Sequence, residues 1–335
     1  MAYDTGMNTR VLGKAGFSVS EIALGTWQVG GGWGTPFDDA GAERIINTAI
    51  DAGINFIDTA DVYDQGKSEA AVGRVVRARQ DVPIRVATKC GRQLSPHTNE
   101  QYTPTALRGF VEASLKNSGL DTLDLIQLHC PPTAVYYRPE IFELFERLRE
   151  EGKIQHLGVS VEKAEEACKA IEYPNVTSVQ IIYNIFRHRP AERFFIEAVK
   201  RRVGVIVRVP LASGLLTGRF GKDTQFRDED HRNFNRDGAR FDKGETFSGV
   251  PYDTALTAVD ALREILPPGM SLVELALRWI LDHPAVSTVI PGASRVEQVL
   301  SNVAAAQCPP LSEETHRAIQ TLYKEQIAPL VHHLW

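Results

Sequence analysis

Short apolar, β-branched runs alternate along the chain with longer stretches in which apolar residues recur every three to four positions. The runs predict eight strands, over residues 19–26, 55–60, 85–90, 124–129, 156–160, 176–183, 204–210 and 286–292. Several, such as DLIQLH and VGVIVRVP, are nearly continuous in apolar residues, as expected when helices cover one face of a strand and a filled interior covers the other. That implies parallel pairing. Helical spacing occupies 39–53, 68–78, 103–119, 139–151, 162–171 and 193–202, then 256–266 and 271–282. Eight strands alternating with eight helices predict a closed (β/α)8 TIM barrel, organised as a single domain over residues 1–335.

A doubly wound open sheet alternates in the same way, but it opens on a G-x-G-x-x-G turn between its first strand and helix. The glycine cluster here, GTWQVGGGWG over 25–34, has a different spacing and is followed by Thr35, Pro36 and Phe37. The barrel is therefore favoured. Ahead of it, RVLG-KAG-FSVS predicts an N-terminal β-hairpin across the barrel floor, with glycines in the turn. After strand seven, residues 212–251 are dense in charge, Gly, Asn and Phe without a clear period, which marks a long lid or binding loop. Helical patterns at 294–306 and 312–326 are extra C-terminal helices beyond what closing a barrel requires.

Composition narrows the function. Of 335 residues, 43% are hydrophobic and 24% charged, enough for a substantial core and far from the disordered range. A net charge of −5 without a basic stripe argues against nucleic acid. No run of eighteen apolar residues and no signal-peptide pattern occur, so a cytoplasmic protein without membrane contact is expected. Cys90, Cys130, Cys168 and Cys308 are widely spaced, and no metal-ligand spacing is present, so reduced thiols and no metal are expected. Oligomeric state stays open.

In a barrel of this type the chemistry lies at the C-terminal ends of the strands, so polar residues ending apolar runs are the candidates. Asp58 lies in strand two, Tyr63 follows in the next loop, Lys89 ends strand three and His129 ends strand four. Taken singly, an Asp–Lys pair is commonly structural and a strand-end His an ordinary satisfied polar residue. Together they direct an acid, a phenol, an amine and an imidazole to one mouth. Tyrosine is a poor proton donor near neutrality, with an unperturbed pKa of about 10, and a neighbouring ammonium is expected to lower it. Asp58 would keep Lys89 charged, and His129 would donate to a substrate oxygen as negative charge develops there. The set suits reduction of a carbonyl.

The segment INFIDTADVYDQGKSEAAVG, with Asp58, Tyr63, Gly66, Ser68, Glu69 and Gly73, resembles the signature of the aldo-keto reductase superfamily. The resemblance continues through ATKC, LIQLH, EEGKIQHLGVS, VQIIYN, PLASGLLTG and VSTVIPGASRVEQVLSN, in order along nearly the whole chain. It implies an oxidoreductase that reduces an aldehyde or ketone with hydride from NADPH, NADH being left open, and a catalytic set of Asp58, Tyr63, Lys89 and His129. It also implies that Ser160 and Gln180 hold the nicotinamide carboxamide. Thr26, Trp27 and Asp58 would line the same end of the cofactor. Pro210, Leu211, Ser213, Gly214 and Leu215 would follow the pyrophosphate. Gly292, Ser294, Arg295, Gln298 and Asn302 would receive the far phosphate at a helix N-terminus. Four positions depart from the family's common choices: Val161, Gly292, Gln298 and Arg208, whose guanidinium is expected to lie flat on the nicotinamide in place of an aromatic ring.

Substrate contacts are expected from Trp27, Trp33, Tyr63 and His129. The loop aromatics Tyr136, Tyr137, Phe226, Phe234 and Phe247 are further candidates for an apolar substrate, and His188, Arg232 and Arg236 for an anionic one. The partner implied is a small-molecule carbonyl compound. The alternative, from another class, is an NADPH-binding regulatory or interaction subunit like the potassium-channel β-subunits of the same superfamily.

Overall fold

The structure is a computed structural model that describes residues 6–32 and 34–335. Two short strands, β1 (Thr9–Val11) and β2 (Ser18–Ser20), pair antiparallel as the predicted hairpin. Eight parallel strands follow: β3 (Leu24–Gly25), β4 (Phe56–Asp58), β5 (Arg85–Cys90), β6 (Leu123–His129), β7 (Ile154–Ser160), β8 (Val176–Ile182), β9 (Gly204–Arg208) and β10 (Val286–Val289). Each pairs with the next in chain order. The sheet closes where Ala23 N–H donates to Val289 O at 2.8 Å and Gly25 N–H to Pro291 O at 3.0 Å. This is the (β/α)8 fold.

One expectation needs correction. The apolar run at 19–26 is two strands, because the hairpin claims residues up to Ser20 and the barrel strand begins only at Leu24. Period-two patterning cannot see that division, since both pieces bury apolar residues.

Helices α1 (Asp39–Asp51), α2 (Lys67–Ala78), α3 (Pro104–Ser118), α4 (Pro139–Glu150), α5 (Ala164–Ala170) and α6 (Phe194–Lys200) follow β3 to β8 in turn. Side chains cap the N-termini of α1 and α3: Asp38 accepts from Gly41 N–H, and Thr103 caps α3 with Pro104 in the first turn. After β9 the chain forms the lid, with one short helix, α7 (His231–Phe234), among several tight turns. Then come α8 (Tyr252–Glu264) and α9 (Leu272–Leu281), and, beyond β10, α10 (Val296–Gln307), α11 (Glu313–Leu322) and α12 (Ala328–Val331).

Two apolar layers result. The larger fills the space between strands and helices, while a small inner one joins Leu12 and Val19 of the hairpin region to Phe56, Ala87, Leu125 and Ile206 inside the barrel. The hairpin thus plugs the floor. It fits closely because Gly204 has no side chain: a Cβ there would meet Leu12 Cδ1 at 2.6 Å. Strand period then dictates what comes above. Two residues on from Phe56, Ala87, Leu125 and Ile206 stand Asp58, Lys89, Gln127 and Arg208, so an apolar floor becomes a polar mouth within one pleat.

Candidate active site

Lys89 is the hub of the mouth. Its side chain is 1% exposed, and its ammonium donates to the Asp58 carboxylate, to Thr59 O at 2.9 Å and to Tyr63 Oη at 3.3 Å. Asp58 is completed on its other oxygen by Gln127 Nε2 at 3.0 Å and Gln180 Nε2 at 2.8 Å. The pair is held from every side, which is what a buried ion pair requires. Burial opposes the Lys89 charge, but Asp58 and then Tyr63 outweigh it and raise the ammonium above its ordinary value.

Tyr63 reaches this hub because the chain after β4 turns through Asp64 and Gln65 in the left-handed region, with φ of 47° and 56°. Other non-glycine residues with positive φ flank the same mouth: Cys130 after β6, and Val209, Ala212 and Ser213 after β9. Val209 is β-branched, so a φ of 52° is costly there. Strain gathers where the site is shaped.

The phenol corrects an expectation. Lys89 does favour the phenolate, yet burial is the larger influence and the Tyr63 pKa is raised above 10, not lowered. His129 faces Tyr63 edge-on with ring centroids 6.1 Å apart. Its pKa is driven well below the usual value, first by burial and then by Arg92 and Lys89, so the ring is neutral.

A second charged cluster, which sequence reasoning missed, lies beside His129. Arg92 donates to Glu245 of the lid at 2.9 Å, and Arg208 pairs with Glu162 at 2.9 Å and with Glu245 at 3.7 Å. Arg208 also donates to Val161 O at 3.1 Å. Its N–H groups are thus committed to carboxylates and a carbonyl, which leaves only the flat faces of the guanidinium for the stacking expected of it. Burial pushes Glu162 above the carboxylate range, whereas Arg92 and Arg208 overcome burial at Glu245 and hold it below. Cys130, Glu162 and Glu245 have metal-ligand proximity, but the Arg208 guanidinium already lies at 3.5 Å from Cys130 Sγ and 2.9 Å from Glu162. A cation of the protein's own sits at that corner.

A cavity of about 480 Å³ runs from these clusters along the barrel mouth. Asp58, Tyr63, His129, Gln180 and Arg208 line it, together with Thr26 and Trp27. Pro210, Leu211, Ser213 and Gly214 also line it, as do Gly292, Arg295 and Gln298. Ser160 and Leu215 do not reach it. Ser160 is wholly buried, its hydroxyl 3.4 Å from Cys130 Sγ, and Leu215 points into the core. Ser294 and Asn302 also stand back: the Ser294 N–H donates to Gln298 Oε1 at 2.7 Å, and Asn302 Nδ2 donates to Gly292 O at 3.5 Å. Trp33 lies outside the described residues.

Other substrate expectations shift. His188 stacks on Tyr323 at 3.7 Å, away from the mouth, and Tyr136 is buried. Tyr137 is 64% exposed under Lys169. Phe226 and Phe247 pack with Tyr252 inside the lid. Arg232 lines the cavity but is clamped on Asp230, and Arg236 covers Phe226 and Tyr252. The aromatic walls are Trp27, Phe220 and Phe241.

The barrel, the mouth and the order of motifs converge on one comparison. The family model for the Aldo/keto reductase family matches residues 21–324. The chain belongs to this family. It is therefore an aldo-keto reductase-family oxidoreductase, and the family uses nicotinamide cofactors on small carbonyl compounds. It is 30% identical to the uncharacterized oxidoreductase YqkF of Bacillus subtilis, over 96% of this chain and 98% of that one. It is also 30% identical to the NADH-specific methylglyoxal reductase of Escherichia coli, over 88% and 92%. A probable voltage-gated potassium channel subunit beta of rice is 28% identical over 91% and 93%. Among solved structures, the glycerol dehydrogenase AKR11B4 of Gluconobacter oxydans superposes with a TM-score of 0.77 at 30% identity, covering 98% of this chain and 97% of that one. The holo aldo-keto reductase AKR11C1 of Bacillus halodurans gives 0.75 at 31%, covering 94% and 96%. Among the described residues, no helix of this family member is long and apolar enough to cross a membrane.

Proposed function

We propose that the protein reduces an aldehyde or ketone to an alcohol with hydride from NADPH, Tyr63 supplying the proton, within one barrel domain in the cytoplasm. The observation that carries this reading is the Lys89 ammonium bridging the Asp58 carboxylate and the Tyr63 phenol at the floor of an open cavity. A raised pKa keeps Tyr63 protonated at neutral pH, as a donor must be. When the proton leaves, the phenolate that remains faces Lys89 Nζ at 3.3 Å, which lowers the cost of transfer. The neutral His129 ring can donate one hydrogen bond to the substrate oxygen.

The residues present fit a phosphorylated dinucleotide. Arg219 and Arg295 line the cavity and form no ion pair among the described residues, and Gly292 leaves open space where a Cβ would point. Those arginines would hold phosphate groups, while Gln180, Trp27 and Arg208 would bound the reacting ring. The cofactor supplies hydride. NADPH is favoured by the two unpaired arginines; the name of the Escherichia coli relative keeps NADH in the comparison.

The test is a spectrophotometric screen of NADPH and NADH oxidation with a panel of aldehydes and ketones, using the wild type and Tyr63→Phe. Turnover is expected with the wild type, and a loss of at least ~100-fold in kcat is expected for Tyr63→Phe with NADPH affinity retained. Tight NADPH binding without turnover of any carbonyl would instead favour a regulatory subunit, the reading suggested by the likeness to the rice channel subunit.

A further inference from the structure

We propose that Arg92 is an additional catalytic residue, donating a hydrogen bond from Nη1 to the substrate oxygen as negative charge develops on it. The inference rests on the reductase reading and concerns a residue outside the Asp58, Tyr63, Lys89 and His129 set.

Its position is built, not incidental. Gly91, with a φ of 101°, turns the chain at the end of β5, and a Cβ there would meet the Tyr102 ring at 2.7 Å. Arg92 is thereby thrown across the mouth towards β6. Its guanidinium is fixed by Glu245 through Nη2 at 2.9 Å and lies over Phe241 at 5.5 Å, while Nη1 is left 3.4 Å from His129 Nε2. The side chain is 21% exposed and lines the cavity.

The imidazole explains what that contact is for. His129 Nδ1 is buried with no hydrogen-bond partner. The neutral ring carries one proton. Placed on Nε2, that proton faces the Arg92 donor; placed on Nδ1, it is buried without an acceptor. The first arrangement sets two donors against each other until an acceptor enters the cavity beside both; the second lets Nε2 accept from Arg92 but leaves the Nδ1 proton unmet whatever enters, so a bound acceptor favours the Nε2 proton. An oxygen accepting from His129 Nε2 lies within about 6 Å of Arg92 Nη1 and, on the near side, within hydrogen-bond reach of both. A carbonyl oxygen placed for Tyr63 and His129 answers that need.

The chemistry balances without any change at Arg92. Hydride from the nicotinamide adds its electron pair to the carbonyl carbon, the C=O π pair moves to oxygen, and the Tyr63 proton completes the O–H bond. Arg92 keeps its protons throughout. Its charge stabilises the oxygen during transfer, a role a neutral His129 performs only weakly.

Arg92→Ala tests the assignment, with kcat, KM and NADPH affinity measured on the full chain in the absence and presence of millimolar guanidinium chloride, and sodium chloride as control. The expected result is a loss of ~100-fold or more in kcat, NADPH affinity retained, and saturable recovery with guanidinium but not with sodium. A second variant, Arg92→Lys, is assayed on para-substituted benzaldehydes. It should depend more steeply than the wild type on electron-withdrawing substituents, because the developing alkoxide is less well held. Arg92→Ala turnover within about threefold of wild type, or a loss that guanidinium does not restore together with an unchanged substituent dependence in Arg92→Lys, would overturn the proposal. Failure of the reductase reading shows separately, as a wild type that turns over no carbonyl.

Discussion

Two buried charge clusters share one barrel mouth and are assembled in opposite ways. Asp58 and Lys89 come from neighbouring strands, and the remaining capacity of both groups is met by Gln127, Gln180, Thr59 and Tyr63. Arg92, Glu162, Arg208 and Glu245 come from three βα junctions and the lid, and Glu162 Oε1 and Arg208 Nε are left without partners. The first is fixed by the sheet, with only Thr59 and Tyr63 of the loop after β4 added. The second is joined by Glu245, which the lid places between two arginines, while the Arg208–Glu162 pair stands without it.

The largest effect should come from breaking the sheet-borne pair. Lys89→Met leaves the Asp58 carboxylate buried without its cation, and a destabilisation of about 3–5 kcal/mol is expected in denaturant unfolding. Turnover should also fall by ~100-fold or more. A variant as stable as the wild type would show that the pair is less enclosed than described. Breaking the lid-borne cluster should matter less. Glu245→Gln removes the anion between Arg92 and Arg208, so kcat/KM should drop by about tenfold and limited proteolysis within the Arg-rich lid should accelerate. Equal losses in the two variants would erase the contrast between them.

The smallest effect concerns a buried carboxylate outside both clusters. Asp61 is 1% exposed and its oxygens have no hydrogen-bond partner; the Val62 N–H and the Gln93 side chain favour its charge without reaching hydrogen-bond geometry. Burial, then Glu69, pushes its pKa up to about 7. A carboxyl whose folded pKa is raised contributes its full stability below the unfolded value, 3.8, and loses it as pH rises through about 7. Asp61→Asn should therefore remove a decline of roughly 1–3 kcal/mol in unfolding free energy between pH 5 and pH 8. Parallel pH profiles in variant and wild type would mean that Asp61 finds a partner.

Much of the sheet-borne site was legible because its information is local. Asp58, Lys89 and His129 sit two residues beyond inward apolar positions or at strand ends, and strand period carries each to the mouth. Boundaries at 85–90 agree with β5, and most helices fall within a few residues of their spacing. Ser160 was harder to judge: its place at the end of β7 was readable, but its complete burial behind Cys130 depends on how the strand packs against Tyr136. The lid was legible only as a long segment without period. Glu245 and Phe241 looked like any charge or aromatic in it, and nothing local marked them as cavity residues. A faint signal did exist, since GETFSG holds turn-forming glycines around Glu245, but turn chemistry does not say which wall a turn approaches.

The sequence by itself determined the barrel, its floor plug and the meeting of Asp58, Tyr63, Lys89 and His129 at one mouth, because hydrophobic period and strand-end position are written within a few residues. Tertiary structure alone decided that Arg92 meets His129, that Arg208 is held by carboxylates, and that burial outweighs Lys89 at the Tyr63 phenol. These depend on contacts between residues 37 and 46 positions apart and on exclusion of water, which no local pattern encodes.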